Sequence, residues 1–141
     1  METFSLRILS PTKPIGELQV RRLLVPGELG YMGLGCNHTD IISMLKPGII
    51  EILGETTEET LRYYVGEGLL DVYKNKATLF LDVIESPTEI DLKRAKEAED
   101  RAVARLKETS RLDINIPRAL KSLERARARL RLSLVKDKGH D

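Results

Sequence analysis

Four side chains in the C-terminal part of the sequence have the types and spacing of an anion site. Asp91 and Arg94 stand three residues apart, and Arg125 and Arg129 stand four apart. Residues three or four apart on a helix share a face, so each pair projects to one side. Arginine forks match phosphate oxygens, and a carboxylate accepts from an adenine amine or a ribose hydroxyl. Two helices folded against each other would let the three guanidinium groups converge with Asp91. The same positions also suit a solvated helix face laced with salt bridges. Arg125, Arg127, Arg129 and Arg131 surround the second helix with positive charge. Such a surface suits an acidic protein or a nucleic acid. No aromatic side chain lies after Phe80 to stack on a base, which disfavours nucleic acid.

Other catalytic chemistry is poorly supplied. The two histidines, His38 and His140, leave a His-based triad little to work with. The chain lacks a G-x-x-x-x-G-K-[ST] phosphate loop, and Gly33-Leu34-Gly35 alone is a weak signal. Cys36 and His38 would supply two of the roughly four ligands of a closed metal site. A glycine-rich surface loop explains the same residues, so no metal is expected. The one cysteine, Cys36, has no partner for an internal disulfide, which fits a reducing compartment. The expectation is a chain that is not an enzyme by itself.

The elements that would position these residues are marked by a change in composition. The whole chain of 141 residues carries a net charge of +1. Residues 1–86 hold 8 Lys+Arg against 12 Asp+Glu, a balance of −4; residues 87–141 hold 15 against 10, a balance of +5. Nine of the ten glycines and all six aromatics precede Pro87. Glycine, aromatic and β-branched residues favour turns and strands, while Ala, Leu, Arg, Lys and Glu favour helices. The expected fold is therefore an all-β N-terminal sandwich of about ten strands, residues 1–86, followed by a C-terminal antiparallel two-helix hairpin, residues 87–141. A second extended stretch over Ile15–Val25 is expected to close at Pro26-Gly27. A short strand over Glu28–Met32 is expected to lead into a loop at Gly33–Asn37. Lys74-Asn75-Lys76 reads as a hairpin turn.

In the hairpin, Ser86-Pro87-Thr88-Glu89 has the form of a capping box, and Thr88 with Asp91 is an alternative cap. Ala95, Ala98, Ala102 and Leu106 form one stripe. Asn115 is placed to cap the second helix, whose stripe is Ala119, Leu123, Ala126, Leu130 and Leu134. These stripes are thin and alanine-rich, so the hairpin is expected to open readily. No apolar run approaches the roughly 18–20 residues of a membrane span. The first ten residues lack a secretory signal pattern.

Together these residues resemble the epsilon subunit family of the F-type ATP synthase over essentially the whole chain. Gly27-Glu28-Leu29-Gly30 resembles the family's Gly-Glu-Leu-Gly turn. Asn37-His38 and Leu45-Lys46-Pro47-Gly48 resemble its Asn/Gly-His segment and Lys-Pro-Gly turn. Gly68-Leu69-Leu70-Asp71-Val72 resembles its Gly-φ-Leu-Glu-Val strand, where φ is an apolar residue. Ile90-Asp91-Leu92-Lys93-Arg94-Ala95 matches its Ile/Leu-Asp-x-x-Arg-Ala motif.

The resemblance implies a non-catalytic rotor-stalk subunit that couples proton translocation to ATP synthesis. Its C-terminal helices would inhibit ATP hydrolysis when extended. The implied partners are the gamma subunit, the c-ring and the alpha/beta head, at the cytoplasmic face of the bacterial inner membrane. No cofactor is required, but ATP is implied as a regulatory ligand of the closed hairpin. The implied ATP-contacting residues are Glu85, Ile90, Asp91, Arg94, Ala95, Arg125 and Arg129. A structural adaptor without nucleotide, or a basic hairpin binding another acidic partner, remains the alternative. The stretch Tyr31–His38 departs from the family, being about three residues longer and lacking its proline. Thr39-Asp40-Ile41-Ile42 replaces the Ala-Pro-Leu segment that follows in the family.

Overall fold

The computed structural model describes residues 2–13, 15–56, 58, 60–108 and 115–138, with side chains of the last helix described through Leu134. It divides into two compact units, Met1–Ser86 and Pro87–Asp141.

Among the described residues, nine strands build the first unit: β1 (Phe4–Leu9), β2 (Gly16–Gly27), β3 (Gly30–Leu34), β4 (Ile41–Leu45), β5 (Gly48–Gly54), β6 (Thr60–Val65), β7 (Gly68–Tyr73), β8 (Lys76–Leu81) and β9 (Ile84–Glu85). Their order is β1-β8-β7-β4-β2-β5-β6-β9, with β3 paired to β2 and β1 also paired to β2. The β1–β8 pair is parallel and the other pairings are antiparallel. Strand β2 is long enough to serve both layers. Its first half pairs with β1, and its second half pairs with β5, β3 and β4. The register shifts between Val20 and Arg22, and the Arg21 side chain donates to the Gly54 carbonyl at 2.8 Å. A bulge of this kind sharpens local twist, which carries β2 from one layer to the other.

Period-2 alternation explains the core. Leu6 and Ile8, Ile50 and Ile52, Leu70 and Val72, and Leu79 and Leu81 point inward with Val20, Leu23 and Val25. Lys74 and Asn75 both have positive φ, 47° and 62°, as the two central residues of a tight hairpin require. A Cβ at Gly48 would stand 2.7 Å from the Pro26 Cβ, so the Lys-Pro-Gly turn needs glycine there.

Two strand boundaries differ from the sequence reading. Strand β2 runs through Pro26 to Gly27, and the turn falls at Glu28-Leu29, where a short strand was expected. Pro26 has no N–H to donate, but its carbonyl accepts from the Lys46 amide at 2.9 Å, so it still ties β2 to the turn after β4. Strand β3 then continues through Gly33 and Leu34, where a loop was expected, because Leu34 is buried in the core opposite Leu23.

Among its described residues the second unit holds a 3-10 turn (Pro87–Glu89), α1 (Leu92–Lys107) and α2 (Ile116–Lys138). Neither expected capping box starts α1. Asp91 caps it: its carboxylate accepts from the Arg94 amide at 3.1 Å. Pro87–Glu89 closes only the short turn upstream, so the helix starts later than its Pro signal suggests. Asn115 caps α2 as expected, accepting from the Arg118 amide at 3.1 Å. The break expected over 109–114 lies outside the described residues.

Ala95 and Ala102 of α1, and Ala119, Leu123 and Ala126 of α2, are buried as expected. The α2 stripe then departs from the sequence reading. Leu130 is half-buried and Leu134 is 62% exposed, while Ala128, Leu132 and Ser133 are buried. Ala128 and Leu132 lie roughly opposite the seam at about 100° per residue, so α2 buries two faces. The 3-10 turn packs against α2. Leu134 falls level with the first residue of α1, where no further turn of that helix remains to cover it.

Candidate functional site

The helix-to-helix register is fixed on one side of the seam. Arg127 Nε of α2 lies 3.3 Å from Glu99 Oε2 of α1. Lys96 Nζ lies 2.8 Å from Glu99 Oε1 and 3.5 Å from Asp100 Oδ1. The Lys96 hydrogen bond, reinforced by Arg127, holds the Glu99 carboxyl below the usual glutamate range, against the opposing effect of desolvation. The Glu99 hydrogen bond, with Asp100 nearby, raises the Lys96 ammonium above its usual value.

This contact places the arginines. At about 100° per residue, Glu99 and Arg127 lie on one flank of the alanine seam. Arg94, Arg125 and Arg129 lie on the other. Counting along both antiparallel helices from the Glu99–Arg127 pair brings Arg94 level with Leu132. At a rise of about 1.5 Å per residue, Arg129 then sits about 4.5 Å along the axis from Arg94, and Arg125 about 10.5 Å. That stagger suits an elongated polyanion more than a single compact phosphate.

The seven sequence-derived positions divide by environment. Arg94 and Asp91 are exposed, Ile90, Arg125 and Arg129 are half-buried, and Ala95 is buried in the seam. Asp91 is already engaged as the cap of α1. The Arg125 guanidinium donates to Ser122 Oγ at 3.1 Å, one turn back on the same helix. Glu85 belongs to the sandwich unit, in β9 opposite Tyr64. Cys36 and His38 have ordinary loop roles. Cys36 Sγ donates to the Thr3 carbonyl at 3.3 Å, and His38 Nδ1 lies 2.8 Å from the Thr39 carbonyl. Among the described residues no group of three or more His, Cys, Asp and Glu is placed to hold a metal.

Family models match both units. The ATP synthase delta/epsilon chain β-sandwich domain matches residues 3–87, and the delta/epsilon chain long α-helix domain matches residues 88–133. The chain belongs to the ATP synthase delta/epsilon family. An ATP synthase epsilon chain of Syntrophomonas wolfei is 31% identical over 93% of this chain and 94% of its own length. The epsilon chain of Desulfitobacterium hafniense is 34% identical over 91% and 94%. That of Protochlamydia amoebophila is 35% identical over 73% and 69%. The fold also matches a chain in a Euglena gracilis mitochondrial ATP synthase structure, with a TM-score of 0.81 at 19% identity over 95% of this chain and 82% of that one.

The stretch expected to depart from the epsilon pattern, Tyr31–His38, is tied down at both ends. The Tyr31 hydroxyl accepts from the Ile49 amide at 3.1 Å. The Asn37 amide donates to Asn75 Oδ1 at 2.6 Å, Asn75 Nδ2 donates to the Thr3 carbonyl at 3.1 Å, and the Lys74 amide donates to Asp40 Oδ1 at 2.9 Å. The segment between β3 and β4 is therefore pinned to the β7–β8 hairpin turn.

Two features escaped the sequence reading. One is the Glu99–Arg127 pair; its only local trace was Lys96 standing three and four residues before Glu99 and Asp100. The other is an apolar row on the outer face of the sandwich. Strand register aligns Met44, Leu69, Phe80 and Leu9 side by side across β4, β7, β8 and β1. Met44 is 59% exposed, Phe80 43% and Leu9 40%, and Ile42 beside them is 72% exposed. The signal available was a failure of alternation, since these strands carry apolar residues at both parities.

Proposed function

We propose that this delta/epsilon chain is a non-catalytic subunit of the rotor stalk of an F-type ATP synthase. Its sandwich docks on the gamma subunit and the c-ring. Its hairpin restrains ATP hydrolysis when it opens toward the alpha/beta head, and ATP favours the closed form. Family membership supports the place in the complex. The observation that carries the nucleotide reading is the common flank of Arg94, Arg125 and Arg129, which collects three guanidinium groups beside the seam. The exposed row Met44–Leu69–Phe80–Leu9 supports docking of the sandwich, because apolar side chains aligned on an outer face gain by being covered.

Titration calorimetry of the full chain with ATP and Mg²⁺ tests the regulatory site. Saturable binding at or below millimolar ATP is expected, and the absence of heat there would remove ATP from the reading. A second reading, a structural adaptor without nucleotide, is favoured by the cap geometry: the Asp91 carboxylate that would receive a ribose or adenine donor already receives the Arg94 amide.

A further inference from the structure

We infer that Glu99 is the latch of the closed hairpin, and that by holding α1 against α2 it positions the arginine flank on the opposite side of the seam. The seam itself is weakly directional. Its buried centre is Ala95 and Ala102 against Ala119, Leu123 and Ala126, mostly single methyl groups. Alanine recurs at a spacing of seven on both helices, 95 to 102 and 119 to 126, so apolar packing discriminates poorly between closed, slid and open arrangements. A directional contact must supply what the alanines lack. Glu99 supplies it with one oxygen on Lys96 of its own helix and the other on Arg127 of the facing helix. Its side chain is only 18% exposed, against 62% for Lys96 and 53% for Arg127. The carboxylate is therefore the covered centre of the group, and the two cations are its wetter arms.

Closing the hairpin sets Glu99 against Arg127 across the seam, where opposite charges attract. Loss of the Glu99 charge removes that attraction, so the hairpin opens more often. An anion on the arginine flank would act in the same direction as the latch. That coupling to a ligand rests on the nucleotide reading above; the latch does not.

The test uses the full chain and four variants: Glu99→Gln, Arg127→Gln, the double Glu99→Gln with Arg127→Gln, and Lys96→Gln. Amide hydrogen exchange reports protection in α1 and α2, with the sandwich strands as internal reference. An exposed ion pair contributes only modestly to stability. Glu99→Gln and Arg127→Gln are therefore each expected to lower helix protection by up to about fivefold, with strand protection unchanged. The double variant should lose less than the two single losses combined, because both changes remove the same contact. Lys96→Gln, which does not cross the seam, should cost less than either. Unchanged helix protection in both single variants overturns the latch, as does a double variant whose loss equals the two single losses combined. ATP titration runs in parallel. Wild-type chain that takes up no ATP overturns the nucleotide reading alone, because protection still decides the latch.

Discussion

The arginines are distinguished by which flank of the hairpin they occupy, and that makes a residue-scale prediction specific. Arg94→Ala and Arg125→Ala each remove a guanidinium from the shared flank. A charge-assisted hydrogen bond contributes about 1.5–3 kcal/mol, so each change should weaken ATP binding roughly 10- to 100-fold in calorimetry. Arg131, exposed on the other flank, is the control: Arg131→Ala should leave affinity within about twofold, because a distant exposed charge is screened. Equal losses at Arg94 and Arg131 would mean diffuse attraction and no site. These arginine positions were legible from spacing alone, since three- and four-residue intervals define a helix face. Their convergence in a closed hairpin was expected as well; their stagger along the axis was not, because it depends on the antiparallel register seen in the Glu99–Arg127 contact. The local role of Asp91 was misread. Its carboxylate caps α1 while the upstream Ser-Pro-Thr-Glu signal closes only a 3-10 turn.

At the scale of the element, each helix depends on one capping side chain and on one cross-helix carboxylate. Asn115→Ala should cost about 1 kcal/mol of hairpin stability, because the Arg118 amide loses its acceptor; denaturant melts followed by helix circular dichroism would read it. The Glu99 group gives a pH dependence of defined sign. Its carboxyl is held low in the folded hairpin, chiefly by the Lys96 hydrogen bond and further by Arg127. A depressed folded value means the stabilisation is fully present above the ordinary glutamate value of about 4.3 and is lost as pH falls through the depressed one. Helix protection should therefore fall below about pH 4 in wild type. In Glu99→Gln the same titration should be shallower, and an identical slope in both proteins would assign the acid response to other carboxylates. The seam residues Ala95, Ala102, Ala119, Leu123 and Ala126 could be read from periodicity. The second buried face, Ala128 and Leu132, could not, because a single-stripe reading assumes a helix packed on one side.

At the scale of the whole molecule, the net charge of +1 describes neither unit: the sandwich carries −4 and the hairpin +5. The two units also differ in what holds them. The sandwich encloses a core of Leu, Ile, Val and Phe4, whereas the hairpin seam is mostly alanine. Burying a Leu or Ile contributes about 1.5–3 kcal/mol and a methyl or methylene about 0.8. The hairpin should therefore open well before the sandwich unfolds, visible as faster exchange of α1 and α2 amides than of β1, β7 and β8; equal protection would contradict it. The docking surface proposed for the sandwich must then work whatever the hairpin does. The row Met44–Leu69–Phe80–Leu9 meets that need, because its position depends only on strand register. Phe80→Ser leaves the buried neighbours Leu79 and Leu81 in place, so stability should change little. Loss of the ring should weaken co-purification of the gamma subunit with the chain. Ser43→Thr, on the same strand as Met44 but off the row, serves as the reference. Retention of gamma at wild-type level by Phe80→Ser and Met44→Ser together would move the docking site to another face.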